Sequence, residues 1–424
     1  MKSSMLRGDL AAGAWSAMAG LITAATLVTS GCTTPGNSLE GEWRGNSIKT
    51  SAGTTRVTTV SGSVWGRPNA IELDSPTVLL GGLDLRATTP FIVDTHGRPF
   101  VGQKTTIVRV DSTGASTVLG RAGDGPGEYR DIAGLIVTSG DTLLVWDGTL
   151  RRVSWLDQQG RYIRSLTVTA PLEYPLPRAG VAGLDGRNLV LTWERGMVVP
   201  GGPPDTIIVA RHPADTEGAA SLVDKVQGTS WTAGTPFPGS RYPFGSRPLV
   251  AISRRGAVAV SDGVEYLIRI DGGTADSGKR IEIVRQWRRA PVGPDVSTPP
   301  AEYLQELPAP SRAPMEALFR AQEFGAERNS IDAMVFDDLG RLWCRVVDEA
   351  QHAHPMVMGR MPSMRPSRYQ WEIFGVDGRL LGAVSVPSRF NVTQITAGWV
   401  YGRLETEEGD AVVARMKLPV RFPE

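Results

Sequence analysis

From Pro99 to the end of the chain, apolar residues gather in short runs of β-branched, aromatic and leucine side chains, punctuated by glycine and aspartate. Six runs stand directly behind a turn glycine: "GRPFVG" (97–102), "GDTLLVWD" (140–147), "GRNLVLTW" (186–193), "GAVAVSD" (256–262), "GRLWCRVVD" (340–348) and "GWVYGRLE" (398–405). A second run follows each of them, in turn "TTIVRVD", "RRVSWLD", "DTIIVAR", "YLIRID", "RYQWEIFG" and "AVVARMKL". Runs of this length and composition predict strands. After the second run comes a turn such as "DSTG", "DQQG", "DGG" or "VDG", and often a third run, as in "RYIRSLTV" and "RLLGAVSV". Aspartate hydrogen-bonds back onto its own turn and glycine accepts positive φ, so Asp-x-x-Gly closes a hairpin for a physical reason. An apolar run also precedes most units, for example "IAGLIV" before Gly140 and "IDAMVF" before Gly340. Four antiparallel strands per unit, six units and a period of about 45 residues predict an all-β fold, a six-bladed β-propeller.

Such a ring has to close. The last unit, "VTQIT", "GWVYGRLE" and "AVVARMKL", lacks a fourth strand, while "TTRVTTVSGSVW" (54–65) has no unit of its own. The expectation is that 54–65 completes the last blade of a propeller spanning 54–424, which removes two open sheet edges at once. Strands a to d alternate in direction. The d-to-a and b-to-c connections therefore share one face, and the a-to-b and c-to-d hairpins share the other. Two long insertions, 227–248 and 289–330, fall between blades and so belong to the first face. Within 289–330, between blades 4 and 5, Thr298 is expected to cap a short helix opened by Pro299 and Pro300. A second helix, "MEALFRAQEF", carries Met315, Leu318, Phe319 and Phe324 on an apolar stripe, and the pair predicts a lid docked on the propeller.

Charge and cysteine content narrow the chemistry. The 424 residues include 45 basic and 44 acidic side chains, a balance that gives nucleic acid nothing to bind to. Lys2 and Arg7 precede a weakly apolar stretch, Leu10–Val28, too diluted by small and polar residues for a transmembrane anchor. It predicts a signal peptide over 1–31. "TSGC", ending at Cys32, resembles the lipobox of bacterial lipoproteins, although Thr29 stands where that motif usually has leucine. The resemblance implies acylation of Cys32, a flexible lipid-anchored tether over 32–53, and attachment to the outer membrane, since Thr33 is not the aspartate of inner-membrane retention. Without acylation the chain is secreted. The other cysteine, Cys344, lies in the apolar run "GRLWCRV". It reads as a buried thiol, and two cysteines, one of them acylated, leave no disulfide and no multi-cysteine metal site.

"GRAGDGPGEYRD" (120–131) is the one glycine-rich loop that invites a phosphate. A Walker loop needs Gly-Lys-Ser/Thr at its end; here there is no lysine, serine or threonine, and Glu128 and Asp131 sit where phosphate charge would lie. A dinucleotide fingerprint needs a helix afterwards, but "IAGLIVTSGDTLLVWD" is strand, turn, strand. The order "GDGPGEY" (123–129), "AGLIV" (133–137), "GDTLLVWD", "RRVSWLD" and "QQGRYIRSL" (158–166) instead resembles one blade of the NHL-repeat family. It departs at Ile132, where proline is common, and at "GTLRR", which lacks the family's Asn-His pair. The whole chain is similar to bacterial six-bladed propeller lipoproteins of NHL type. That resemblance implies the fold and leaves the activity open, because propellers host lyases, lactonases, receptors and scaffolds alike.

The elaborated face is where a site is expected, with Glu128, Tyr129, Arg130 and Asp131 in a d-to-a connection and Asp147, Arg151 and Arg152 in a b-to-c connection. Glu128 with Asp131 could act as paired carboxylates, or Glu128 and Arg130 could form a surface ion pair, the preferred reading. His352 and His354 in "HAH" are weak metal candidates, and no metal or other cofactor is expected. The preferred function is a binding or scaffold module, held to the membrane by its lipid, whose partner is a protein, peptide or glycan. The alternative is an envelope enzyme of lactonase or lyase type with a divalent metal in the channel. It is disfavoured because the innermost runs offer mainly Asp332 as a ligand.

Overall fold

The computed structural model describes residues 46–418, apart from 60–70, 84, 86–88, 139, 170–180, 186–187, 194–205, 216–219, 230–243, 274–277, 287–288, 293–297, 322–325 and 348–365. Its strands form six blades of antiparallel sheet arranged as a β-propeller. Blade 2 shows the plan: Ile132–Val137 innermost, then Leu143–Asp147, Arg152–Leu156 and Tyr162–Thr167 at the rim. The inner strands of blades 1 and 3 to 6 are Phe91–Val93, Val181–Asp185, Leu249–Ile252, Ile331–Phe336 and Phe390–Thr396. All six second strands are the glycine-led runs of the sequence.

Period-two alternation explains why those second strands are mostly apolar on both faces. In Leu143–Asp147 every residue is buried. Leu143 and Val145 pack with Phe100 and Ile107 of blade 1, while Leu144 and Trp146 pack with Leu189, Leu191 and Trp193 of blade 3. A strand covered on both faces has no polar side to spare. One apolar cluster of this kind fills each of the six seams between neighbouring blades. Trp146, Trp155, Trp343 and Trp371 are all buried in them. The outer strand Tyr162–Thr167 faces packing on one side only and alternates between exposed and half-buried positions.

One seam carries charge. Between blades 4 and 5, the side chains of Arg285 and Glu372 are completely buried and paired through Nε and Nη2 of the guanidinium, and Tyr266 Oη donates to Glu372 Oε2 at 2.6 Å. Cys344 lies opposite Glu372 in the ladder and is fully buried, as its surroundings in sequence predict. Burial first, and the neighbouring carboxylate second, push its thiol well above the ordinary range.

Closure differs from expectation. The fourth strand of blade 6 is Thr77–Leu80, antiparallel to Ala411–Lys417. Thr54–Thr59 instead runs parallel to Arg280–Arg285 on the rim of blade 4, with Asn46–Ser51, expected in the tether, outside it. Chain continuity decides between the two segments. The closing strand must hand over to Phe91 through an ordinary outer-to-inner connection, and only 77–80 is near enough. Leu79 and Leu80 then pack against the blade 6–blade 1 cluster of Leu85, Val93, Tyr401 and Val413. The threonine-rich 54–59 suits a half-exposed rim strand, where only Val57 and Thr59 are buried.

The insertion between blades 4 and 5 contains two helices, α1 (Ala301–Glu306) and α2 (Ala309–Ala321). Pro300, in extended conformation, occupies the cap of α1, and Thr298 does not cap it. Two consecutive prolines keep the chain extended up to Ala301, so the threonine is left too far from the first free N–H groups. Tyr303 and Phe319 are buried against each other, with Leu304, Leu307 and Met315 around them. The apolar stripe thus builds a small core of the helices' own; Phe324 lies outside the described residues. Among the described residues no helix is long and apolar enough to cross a membrane.

Candidate functional site

The glycine-rich loop is a corner bonded to itself. Glu128 accepts from Arg121 (Nη2 at 2.7 Å) and from the Gly125 N–H at 2.8 Å, and these bonds hold its carboxyl below the usual range. Arg130 grips Asp124 with two nitrogens, each at 2.5 Å. The ion pairs therefore differ from the expected Glu128–Arg130 pair: residues 121 and 128, and 124 and 130, face each other across the turn. Gly120 is required here. Its φ is +73°, and a Cβ would stand 2.6 Å from the ring of Tyr129, which is buried beneath the loop. Burial pushes the Tyr129 hydroxyl up to about 12.

Beneath the loop lie its anchors. Asp147 is fully buried, and its carboxylate accepts from the N–H groups of Arg130 (2.7 Å), Thr149 (3.0 Å) and Leu150 (2.8 Å). Arg152 donates to the carbonyls of Asp124 (2.6 Å), Gly125 (3.2 Å) and Glu128 (2.5 Å). Arg151 has a left-handed backbone, φ +50°, and its carbonyl accepts from the Val168 N–H. The structure thus brings all seven named residues together, in two roles. Glu128, Tyr129, Asp147, Arg151 and Arg152 shape the corner; Arg130 and Asp131 are exposed on it. Sequence reasoning missed Arg121 and Asp124, which complete the exposed charge pattern. Their partners are set by the turn geometry, which residue order alone does not give.

The two insertions meet on this face. Asn329 donates to the Gly245 carbonyl and the Arg328 guanidinium lies 4.9 Å from the Phe244 ring centre. Arg289 ties the base of the helical insertion to Glu265 and Glu327.

The central channel encloses about 640 Å³. Its walls come from the inner strands of all six blades, with Ile92, Ile136, Leu184, Val250, Ile252 and Val335 half-buried along it. Asp332, on the inner strand of blade 5, is taken up by two nitrogens of Arg345 at 2.5 and 2.9 Å. At the hairpin face, away from the channel lining, Asp94, His96 and Asp141 gather ligand atoms within 4.8 Å of one another. Each carboxylate is already engaged. Asp94 accepts from Arg98 Nε (2.6 Å) and from its own turn, and Asp141 accepts from Thr95 and contacts His96 at 3.0 Å. Burial raises the Asp141 carboxyl, but the bonds from Thr95 outweigh it and keep the group below its ordinary value. No sequence signal joined these residues, which come from two blades. His352 and His354 lie outside the described residues.

No protein-family model and no curated protein matches the chain in sequence. Solved structures do. A DUF4221-family protein of Bacteroides vulgatus is 9% identical, with 83% of this chain and 98% of that one covered at a TM-score of 0.48. A gluconolactonase of Xanthomonas campestris is 13% identical (84% and 99% covered, TM-score 0.40). A virginiamycin B lyase of Staphylococcus aureus is 10% identical (81% and 100% covered, TM-score 0.37). These neighbours differ in activity, and the likeness assigns none to this chain.

Proposed function

We propose that this chain is a lipid-anchored binding module of the cell envelope, a propeller of NHL type that recognises a protein, peptide or glycan on the face built by its d-to-a and b-to-c connections. The observation behind this reading is the self-bonded loop. Arg121, Asp124, Arg130 and Asp131 are exposed, yet held by Glu128, by buried Asp147 and by Arg152. A charged surface fixed before the partner arrives loses little conformational freedom on binding. Acylation of Cys32 places that surface at the outer membrane. Two measurements test the proposal. Mass spectrometry of the mature protein and of Cys32→Ala reads the anchor, and an unmodified wild-type Cys32 removes it. Screening peptide and glycan arrays with wild type, Arg130→Ala and Asp131→Asn reads the face. The loop variants should lose about tenfold or more in affinity, while hairpin-face Asp377→Asn and Gln158→Ala keep it. If the hairpin variants lose binding and the loop variants keep it, the face is wrong. Bound metal together with lactone hydrolysis would replace the binding reading by an enzymatic one.

A further inference from the structure

The outer edges of the blades are guarded unequally. An outermost strand leaves one row of backbone N–H and C=O groups unpaired, and proteins blunt such edges with a bulge or a covering element. In blades 2, 3, 5 and 6 the register shifts where the outer strand meets its neighbour, at Trp155/Leu156, Val209/Ala210, Ile373/Phe374 and Val413/Ala414. Blades 1 and 4 pair there without a shift. Blade 4 is covered instead, because Thr54–Thr59 pairs in parallel along the whole of Arg280–Arg285. Even bulged blade 5 takes a short added strand, Ile71–Glu72, parallel to Val384 and Ser385. The outer strand of blade 1, Ser116–Leu119, has neither device: among the described residues no further strand pairs with it.

The chemistry of this edge suits an added strand. Ser116, Thr117 and Val118 are exposed, Val118 at 63%, and the strand carries no charge to repel a neighbour and no proline to block one. The outer strands of blades 2 and 3, by contrast, carry Arg164, and Asp224 with Lys225. The hairpin end of blade 1 fixes which backbone groups are free. The Asp111 N–H bonds to the Ala115 carbonyl at 3.0 Å, and along an antiparallel ladder bonded pairs alternate with unbonded ones. Thr117 and Leu119 therefore spend their backbone groups on Arg109 and Ile107, while those of Ser116 and Val118 point outward.

We propose that Ser116–Leu119 is a docking edge for an extended peptide segment of a partner protein, which adds to blade 1 as a fifth strand. Main-chain bonds to Ser116 and Val118 hold the segment, and a β-branched side chain beside Val118 covers that residue. The precedent lies in the same ring: the outer edges of blades 4 and 5 each take a separate extended segment, and two residues are enough on blade 5. A second copy of the chain fits less well, because pairing four residues with four buries far less than the ~1,200 Å² of a stable interface. The site does not rest on the charged loop.

Phage selection of random dodecapeptides on the intact protein, with depletion on Val118→Pro and calorimetric titration of the survivors, tests this. Proline removes an outward N–H and leaves the ladder to Arg109 and Ile107 in place, so circular dichroism should keep the strand spectrum. Selected peptides should bind wild type at one site and Val118→Pro at least tenfold more weakly, with Val118→Thr close to wild type. If Val118→Pro unfolds, Ser116→Pro removes the other outward N–H and takes its place in both steps. N-methylation of every second peptide residue, in one of the two registers, should abolish binding, because the bonds are made by the main chain. Arg130→Ala and Asp131→Asn should leave the affinity unchanged, which separates this edge from the loop face. The proposal is overturned if no peptide distinguishes wild type from a folded proline variant, or if both N-methylated registers bind as the parent does. It is overturned equally if wild type is a dimer in sedimentation that Val118→Pro makes monomeric, since a second copy then occupies the edge.

Discussion

Asp147 and Asp131 are both aspartates at the glycine-rich corner, and their surroundings give them opposite roles. Asp147 is fully buried and takes three backbone N–H groups at 2.7 to 3.0 Å, whereas Asp131 is exposed. Asp147→Ala leaves those donors without a partner and should cost about 2–3 kcal/mol in denaturant unfolding. Asp131→Asn should stay within about half a kcal/mol, because exposed loop changes away from such networks usually do. Arg151→Gly should be neutral or stabilising by up to about 1 kcal/mol, since glycine removes the penalty of a left-handed backbone at φ +50°. The buried thiol and phenol give a pH prediction. Burial raises both Cys344 and Tyr266 well above their ordinary values of 9.0 and 10.0. The unfolded chain therefore releases these protons first as pH rises, and stability present below about pH 9 is lost progressively above it. Thermal melts from pH 7 to 11 should show this decline, and Cys344→Ala should make it shallower above pH 9.

Blades here are joined by side chains as well as by apolar packing. Gln394 binds both backbone groups of Val93, 301 residues away, and so pins the inner strand of blade 6 to that of blade 1. Gln394→Ala should cost about 1–3 kcal/mol, because it leaves two buried backbone groups of Val93 without partners at the ring seam. At the seam of blades 4 and 5, Glu372→Ala leaves Arg285 buried without its partner and should cost about 3–5 kcal/mol. Replacing both residues by apolar side chains of similar volume should recover much of that loss. A double-mutant cycle in guanidinium chloride measures the difference. These two bonded seams show why an apolar pattern alone does not state how firmly each pair of blades is held.

The ring is closed by Thr77–Leu80, supplied from the chain's early part to its last blade. Two truncations isolate that strand, one beginning at Ser75 and one at Gly82. Both lack the rim strands of blade 4, and only the second lacks the closing strand. The second should be less stable by about 2–4 kcal/mol from the partly buried Leu79 and Leu80 alone, and more prone to aggregate through its open edge. Equal melting of the two truncations would falsify closure by this strand.

Much of this architecture was legible before any coordinates. The repeated strand runs, the Asp-x-x-Gly hairpins, the six units and the helical insertion are written in neighbouring residues, because side-chain alternation and turn geometry act over a few positions. Those short-range rules also placed the named loop residues on one face. What they could not give is which distant segments meet. That 77–80 and not 54–59 closes the ring follows from the length of the connection into Phe91. That Arg121 and Asp124 carry the exposed charge, while Asp147 and Arg152 hold it from below, follows from the folding of one turn over another strand. The channel has no local signature at all. Its walls take two to four residues from each of six strands spread along the chain, and only their convergence on a common axis makes a cavity of them.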